Sequence, residues 1–179
     1  MERSQLTRAP ILALVGSLPC GSAAATTRQQ CVEMETPMPI YQCYSPRGML
    51  TKSAKAKLAD EITDIHTNAT RAPELFVNVL FHEIAEGDCF VSRKPSANSY
   101  LFGAVRHGRD LETRQGMLRD FSRMWTRVTG QSEAEFLVVL TEADPANGME
   151  AGLILPEPGH EQEWFEENHV RLTELGLKA

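Results

Sequence analysis

The stretch from Ile40 to Ile84 decides the fold of this chain, because it contains a strand, a helix and a strand in that order. It opens with the apolar and aromatic run IYQCY at residues 40–44, which is typical of a β-strand. Thr51 suits a helix N-cap, and apolar residues at helical spacing follow it. These are Ala54, Leu58, Ile62 and Ile65. The run TRAP at residues 70–73 ends the predicted helix, and Leu75–Ile84 is the predicted second strand.

The same order of elements returns 59 residues later. Tyr41 falls on Tyr100, and the N-cap Thr51 falls on Asp110, which is again a good N-cap residue. The other matching pairs are Arg47 with Arg106, Leu58 with Met117, Ile62 with Phe121, Val79 with Val138, and Glu83 with Glu142. Because turns, caps and apolar positions repeat together, the sequence predicts a tandem duplication, with β-α-β repeats over about 39–97 and 98–156 and a C-terminal tail.

Two such units predict an α/β (α+β) fold. Right-handed crossovers would place four strands in one sheet with both helices on one face. The second face, rich in Val, Leu and Phe, would then need cover, and a homo-oligomer is the simplest source of it.

Composition narrows the range of partners. The net charge is −6, and no basic stripe carries interleaved aromatic residues, so we expect no nucleic-acid partner. No apolar run approaches the roughly 20 residues of a membrane span, so we expect no membrane partner. The four cysteines show no metal-ligand spacing, and no metal site is predicted.

Residues 1–38 form a predicted leader and linker ahead of a domain at 39–179. Two basic residues, a short apolar run and small residues near Ala25 are compatible with a targeting segment, whereas a mis-assigned start upstream of Met38 is the alternative. A chain that starts at Met38 predicts a cytoplasmic protein. A targeting segment predicts an organellar or secreted one.

Pro39 follows Met38 directly and stands at the head of the first strand. A Met-Pro start normally loses its methionine, which leaves a secondary amine. An α-amino group has a pKa of roughly 7.7–8.0, so a terminal Pro39 can act as an acid or a base near neutrality. An internal Pro39 has an imide nitrogen without a basic lone pair, and this chemistry is then absent.

Four further side chains are candidates for chemistry. Arg106 and Arg109, in the second strand-to-helix turn, suit a carboxylate because guanidinium groups form bidentate hydrogen bonds; the alternative is a solvated turn paired to Asp110 or Glu112. His66 lies near the end of the first helix, where a charged imidazolium that caps the helix is the alternative to a functional role. Glu150 lies in a loop bounded by glycines and suits a general base, with an exposed loop acid as the alternative.

In this order, these residues resemble the tautomerase superfamily, and most closely its cis-3-chloroacrylic acid dehalogenase group, in which two β-α-β units are fused. The tail LPEPGHEQEWF at residues 155–165 is the most specific match. The resemblance implies catalytic roles for Pro39, His66 and Glu150, and carboxylate binding by Arg106 and Arg109. It also implies a homotrimer and a reaction without a cofactor.

The resemblance implies an enzyme that isomerises or hydrates a small α,β-unsaturated or 2-oxo carboxylic acid. The tyrosine of the group falls on Val139, whose side chain forms no hydrogen bond, so dehalogenation is less favoured than tautomerase or hydratase chemistry. Two alternatives remain: a non-catalytic relative with an internal Pro39, and a tailoring isomerase of secondary metabolism.

Overall fold

The computed structural model of the protein describes residues 39–157 and 160–177, and the leader predicted at 1–38 lies outside the described residues. The strands are β1 (Ile40–Pro46), β2 (Asn78–Ile84), β3 (Phe90–Val91), β4 (Lys94–Pro95), β5 (Ser99–Arg106), β6 (Phe136–Ala143), β7 (Met149–Glu150) and β8 (Leu153–Ile154). The helices are α1 (Lys52–Thr70), α2 (Leu111–Thr129) and α3 (Glu161–Glu174).

The main sheet has the strand order β2-β1-β5-β6. Strands β1 and β2 are parallel, as are β5 and β6, because α1 and α2 carry the chain back between them. The two repeats join through β1 and β5, which are antiparallel. The predicted fold class, two β-α-β units in one four-stranded sheet, is confirmed.

Both helices pack on one face of this sheet. Leu58 and Ile62 of α1 share a core with Met117 and Phe121 of α2 and with alternate residues of β1 and β5, and the predicted helical stripe therefore faces the sheet. Thr51 caps α1 by accepting a hydrogen bond from the Ala54 amide, as its position in the sequence predicts.

The repeat extends beyond the β-α-β units. The β3–β4 hairpin and the β7–β8 hairpin lie 59 positions apart, and both turn through two consecutive residues with positive φ. An ion pair that ties each helix to its second strand is repeated as well: Lys55 with Glu83, and Arg114 with Glu142.

The first strands of the repeats break the 59-residue equivalence. Tyr41 faces the helices and is fully buried, whereas Tyr100 lies on the other face and stacks on Phe102. The turn before α2, at 107–110, is one residue shorter than the turn before α1, at 47–51. Side chains alternate between the two faces of a strand, so a shift of one residue places each side chain on the other face of the sheet. The predicted matches of Tyr41 with Tyr100 and of Arg47 with Arg106 are therefore wrong, because these residues do not occupy equivalent positions in the two repeats.

The second strand of the first repeat is shorter than predicted. Residues Glu74–Phe76 form a 3-10 turn, and β2 begins at Asn78. Phe76 is buried beneath α3, where its ring lies 6.1 Å from that of Phe165. The apolar residues ahead of β2 therefore hold the C-terminal helix.

The sheet face opposite the helices remains apolar and exposed. Leu80, Phe102 and Leu137 on this face are 41–50% exposed. Tyr44 lies among them, stacked on His82 with ring centroids 4.5 Å apart. Within the described residues, no helix combines the length and the apolar character needed to cross a membrane.

Candidate active site

The topology brings Pro39 and the arginine turn to the same end of the sheet. Ile40 pairs with Ala104 in the antiparallel β1–β5 ladder, so the start of β1 lies beside the end of β5, where Arg106 is the last residue. Pro39 is buried, and its carbonyl accepts a hydrogen bond from the Asn78 amide at 3.0 Å. Proline suits this first position because it has no N–H to donate to the ladder.

Tyr41 and His66 form a buried polar pair at this end. The Tyr41 hydroxyl lies 2.7 Å from His66 Nδ1, and both side chains are at most 1% exposed. Gly103, opposite Tyr41 in the ladder, makes room for the ring: a Cβ at this position would lie 2.7 Å from Tyr41 Cε1. His66 reaches the pair because α1 runs back toward the start of β1.

His66 is neutral in the fold. Burial, with a smaller contribution from the positive charge of Arg109, lowers its pKa to about 3. The alternative of a charged imidazolium that caps the helix is therefore wrong. Nε2, on the other side of the ring from Tyr41, is buried without a hydrogen-bond partner among the described residues.

Arg106 forms a buried ion pair with Glu161, the first residue of α3. Both side chains are only 5% exposed. Removal of one member of such a pair generally costs about 3–5 kcal/mol, because the other charge is left in a medium of low dielectric constant. The alternative of a turn paired to Asp110 or Glu112 is wrong for Arg106, and Asp110 instead caps α2 through the Thr113 amide.

Arg109 lies close to the Tyr41–His66 pair. Its Nη1 donates to the Arg106 carbonyl at 2.6 Å, which fixes the turn. Its positive charge lowers the pKa values of both His66 and Tyr41, although burial is the larger influence on each and raises the pKa of Tyr41. Arg109 is half-buried, and its Nε atom is buried.

Glu150 lies in the β7–β8 hairpin, immediately before its turn. Ala151 and Leu153 of this hairpin pack against the cluster that contains Phe76 and Phe165, which places the hairpin near the start of β2. Glu150 is half-buried, and burial raises its pKa. The packing of the hairpin therefore brings Glu150 to the same end of the sheet as Pro39.

The opposite end of the sheet carries none of this chemistry. The residues at the corresponding positions are Ser99 for Pro39, Leu101 for Tyr41, Trp125 for His66, Pro46 for Arg106, Leu50 for Arg109 and Val91 for Glu150. A cavity of about 660 Å³ lies at this end, lined by Arg47 and Cys89 among others. The candidate groups converge at the Pro39 end, which is therefore the better candidate for catalysis.

Val139 lies away from the arginine turn, on the exposed sheet face, where it pairs with Phe102 in the middle of the β5–β6 ladder. In the part of the chain that the structure describes, no three His, Cys, Asp or Glu side chains are grouped to hold an ion.

A family model described as a putative oxalocrotonate tautomerase enzyme matches residues 38–169. The chain belongs to this tautomerase family. The region matched by the family model begins one residue before Pro39 and includes every candidate residue named above. No curated protein matches the chain.

Solved tautomerase structures share the fold. N1, a member of the cis-3-chloroacrylic acid dehalogenase family, is 26% identical, with 76% of this chain and 98% of that one covered and a TM-score of 0.70. Native Ps01740 is 32% identical, with 62% and 99% covered and a TM-score of 0.61. Pt0534 inactivated by 2-oxo-3-pentynoate is 25% identical, with 65% and 94% covered and a TM-score of 0.60. The predicted resemblance is confirmed.

Two residues of this candidate site, Tyr41 and Glu161, were not predicted as site residues from the sequence. Tyr41 lies two positions after Pro39, and residues two apart in a strand share one face of the sheet. The sequence therefore contained the information needed to predict Tyr41 as a site residue. Glu161 lies in the tail segment at 155–165, where spacing gives no indication that it reaches Arg106. Only the packing of α3 shows that contact.

We expect the stability of this protein to depend on pH through His66. The unfolded chain protonates His66 near its ordinary pKa of about 6.5, whereas the folded protein does so near 3. Between these values the unfolded state binds more protons, so the free energy of unfolding falls as the pH falls, by up to about 1.4 kcal/mol per pH unit. A His66→Gln variant lacks this contribution.

Urea unfolding of the wild type and of His66→Gln at several pH values measures the difference. The stability of the wild type relative to the variant should decrease steadily as the pH falls below about 6.5. Parallel stability curves would show that the folded protein accepts a proton on His66 as readily as the unfolded chain does.

Proposed function

We propose that this protein, once Pro39 is its first residue, is a cofactor-independent tautomerase or hydratase of a small α,β-unsaturated or 2-oxo carboxylic acid. The observation that carries the proposal is the convergence of Pro39, Arg109 and the Tyr41–His66 pair at one end of the sheet. The repeat-related end, which has the same backbone, lacks all of these groups.

Arg109 is the main carboxylate-binding residue in this proposal. Arg109 is half-buried, and its hydrogen bond to the Arg106 carbonyl fixes its position. Arg106, through its ion pair with Glu161, holds the turn and adds positive charge at the site. Fixed positive charges of this kind stabilise the enediolate charge that develops when a proton leaves the α-carbon or when water adds to the β-carbon.

Pro39 moves the proton. In a tautomerase, the neutral amine takes a proton from one carbon and returns it to another. In a hydratase, Glu150 takes a proton from water, the water oxygen bonds to the β-carbon, and protonated Pro39 gives its proton to the α-carbon. We assign the water to Glu150 alone, because His66 is buried and neutral and a pKa of about 3 makes it a weak base.

The test uses 2-oxo-3-pentynoate, an electrophile that an amine attacks by conjugate addition. A chain that begins at Pro39 and the chain with residues 1–38 attached are each incubated with it, and the modified peptide is identified by mass spectrometry. We expect labelling at Pro39 and loss of tautomerase activity only in the chain that begins at Pro39. No labelling of Pro39 and no activity in either form would instead support a non-catalytic protein with this fold.

Glu150 separates the two reactions. In the active form, Glu150→Gln should lower the rate of hydration of a 2,3-unsaturated acid at least about 100-fold, since a general base contributes about 10²–10⁴-fold. Ketonisation of an enol acid should change less than about threefold, because it needs only Pro39 and the arginines. Ultraviolet absorbance measures both rates.

The matched control is Glu133→Gln, an exposed carboxylate ahead of β6. It should leave both rates unchanged. Equal losses of hydration and ketonisation in Glu150→Gln would show that Glu150 acts on the enol rather than on water.

We also propose that the protein is a homotrimer that covers the exposed sheet face. The F6 fused 4-OT, which is 16% identical and shares the fold at a TM-score of 0.60, is described as an asymmetric trimer. Leu137→Glu places a charge on the exposed face and should dissociate the trimer, whereas Leu111→Glu, at an exposed position on α2, should not. Sedimentation equilibrium measures the mass, and a monomeric wild type would contradict the proposal.

A further inference from the structure

The turn that carries the two arginines is held by two elements that follow it in the chain. On the side of β6, Glu142 accepts a hydrogen bond from the Gly108 amide at 3.3 Å. On the side of α3, Glu161 pairs with the Arg106 guanidinium. The Arg106 carbonyl in turn accepts a hydrogen bond from Arg109 Nη1 at 2.6 Å. A continuous line of contacts therefore leads from α3 to Arg109.

The contact between Glu161 and Arg106 is buried, with both side chains only 5% exposed. Solvent ions screen such a pair much less than a pair at the surface, and a charge-assisted hydrogen bond holds both groups in one geometry. Separation of the pair would leave a buried charge without its partner, which is strongly unfavourable. We therefore expect Glu161 to stay on Arg106 when an acid binds at the turn.

The packing of α3 places Glu161 at this turn. Phe165 lies four positions after Glu161, so the two side chains lie on the same face of the helix. The Phe165 ring packs on Phe76 ahead of β2, in an apolar cluster with Leu172 that is separate from the core between the sheet and the other two helices. Helix α3 thus has an apolar anchor of its own, and Glu161 is a charged contact between this helix and the arginine turn.

Stabilisation of α3 alone does not explain the burial of Glu161. A carboxylate in the first turn of a helix is favoured by the macrodipole, and α3 has two of them, Glu161 and Glu163. The Glu163 side chain is 70% exposed and lies 3.5 Å from His160, so a carboxylate can serve the helix while it remains in solvent. Burial of Glu161 against Arg106 carries a desolvation cost that the helix does not require, which indicates a role at the turn.

We propose that Glu161 is a positioning residue for acid binding: through its ion pair with Arg106, it holds the turn in the conformation in which Arg109 binds the substrate carboxylate. Helix α3, which lies outside both repeats, is thereby part of the site. The proposal rests on the proposed function for the acid that Arg109 binds, and it requires no contact between Glu161 and that acid.

The test is the binding of propanoate, an unreactive three-carbon acid, to the full chain and to the chain that begins at Pro39. NMR signals of the arginine side-chain N–H groups follow the titration. In Glu161→Gln, which keeps the size and removes the charge, we expect at least about tenfold weaker binding, because loss of one member of a buried charge pair generally costs that much or more. Glu161→Asp keeps the charge and should recover most of the affinity.

Turnover by the chain that begins at Pro39 gives a second measurement. In Glu161→Gln, KM for the acid should rise about tenfold, whereas kcat should change less than about threefold, because the proton transfer depends on Pro39. A loss confined to kcat would overturn the proposal, since Glu161 would then act on the chemical step and not on acid binding.

Glu163→Gln is the matched control, because it removes the same interaction with the α3 dipole and leaves the Arg106 pair intact. It should leave propanoate binding, KM and kcat unchanged. Circular dichroism confirms that each variant is folded. Unchanged binding in a folded Glu161→Gln protein would overturn the proposal, as would equal losses in Glu161→Gln and Glu163→Gln. Tighter binding would also overturn it, because Glu161 would then compete with the acid for Arg106.

The wild type provides a measurement that needs no variant. The ¹³C signal of the Glu161 carboxyl group should stay in place when propanoate binds, because the pair with Arg106 persists. A large shift would show that the acid displaces Glu161, and it would overturn the proposal.

The outcomes also separate this role from the proposed function. Weaker propanoate binding in Glu161→Gln, in a protein that 2-oxo-3-pentynoate does not label at Pro39, would support the positioning role and contradict proline chemistry. Labelling of Pro39, together with equal propanoate binding in the wild type and Glu161→Gln, would overturn the positioning role and leave the proposed function intact.

Discussion

The antiparallel pairing of β1 with β5 is the constraint on which the site depends. Each repeat closes its own β-α-β unit with parallel strands, and this pairing joins the two units into one sheet. Because the strands run in opposite directions, the first residue of one repeat meets the last residue of the first strand of the other. Pro39 and the arginine turn, about 70 residues apart in the sequence, therefore become neighbours without a dedicated loop.

The same pairing gives the sheet two ends with similar backbone arrangements, and the two ends carry different side chains. The one-residue difference between the turns at 47–51 and 107–110 changes which side chains face the helices. Tyr41 thereby enters the core on one side, while Leu101 takes the corresponding position on the other. A duplicated backbone thus carries the buried ionisable groups His66, Arg106 and Glu161 at one end, whereas the buried polar residues at the other end are the uncharged Ser45 and Ser99.

The fold was largely predictable from the sequence because caps, turns and apolar periods agree in both repeats. Thr51, Asp110 and the helical stripes fixed the elements and their order. The site was less predictable, since its contacts depend on distances in space: His66 was predicted to be either a functional residue or a charged cap, and only its burial against Tyr41 shows that it is neutral. The partner of Arg106 was missed because α3 has no counterpart in the repeat.

Burial also bears on which reaction the proposed site favours. Low dielectric surroundings destabilise charge, so they raise the pKa of Glu150 and would lower that of a free Pro39 amine. The Glu150 shift comes from burial. Hydration needs a carboxylate and a protonated amine at once, whereas tautomerisation needs only the neutral amine. Burial of the site therefore favours a neutral Pro39 that transfers a proton between carbons. Among the two proposed reactions, this favours tautomerisation over hydration.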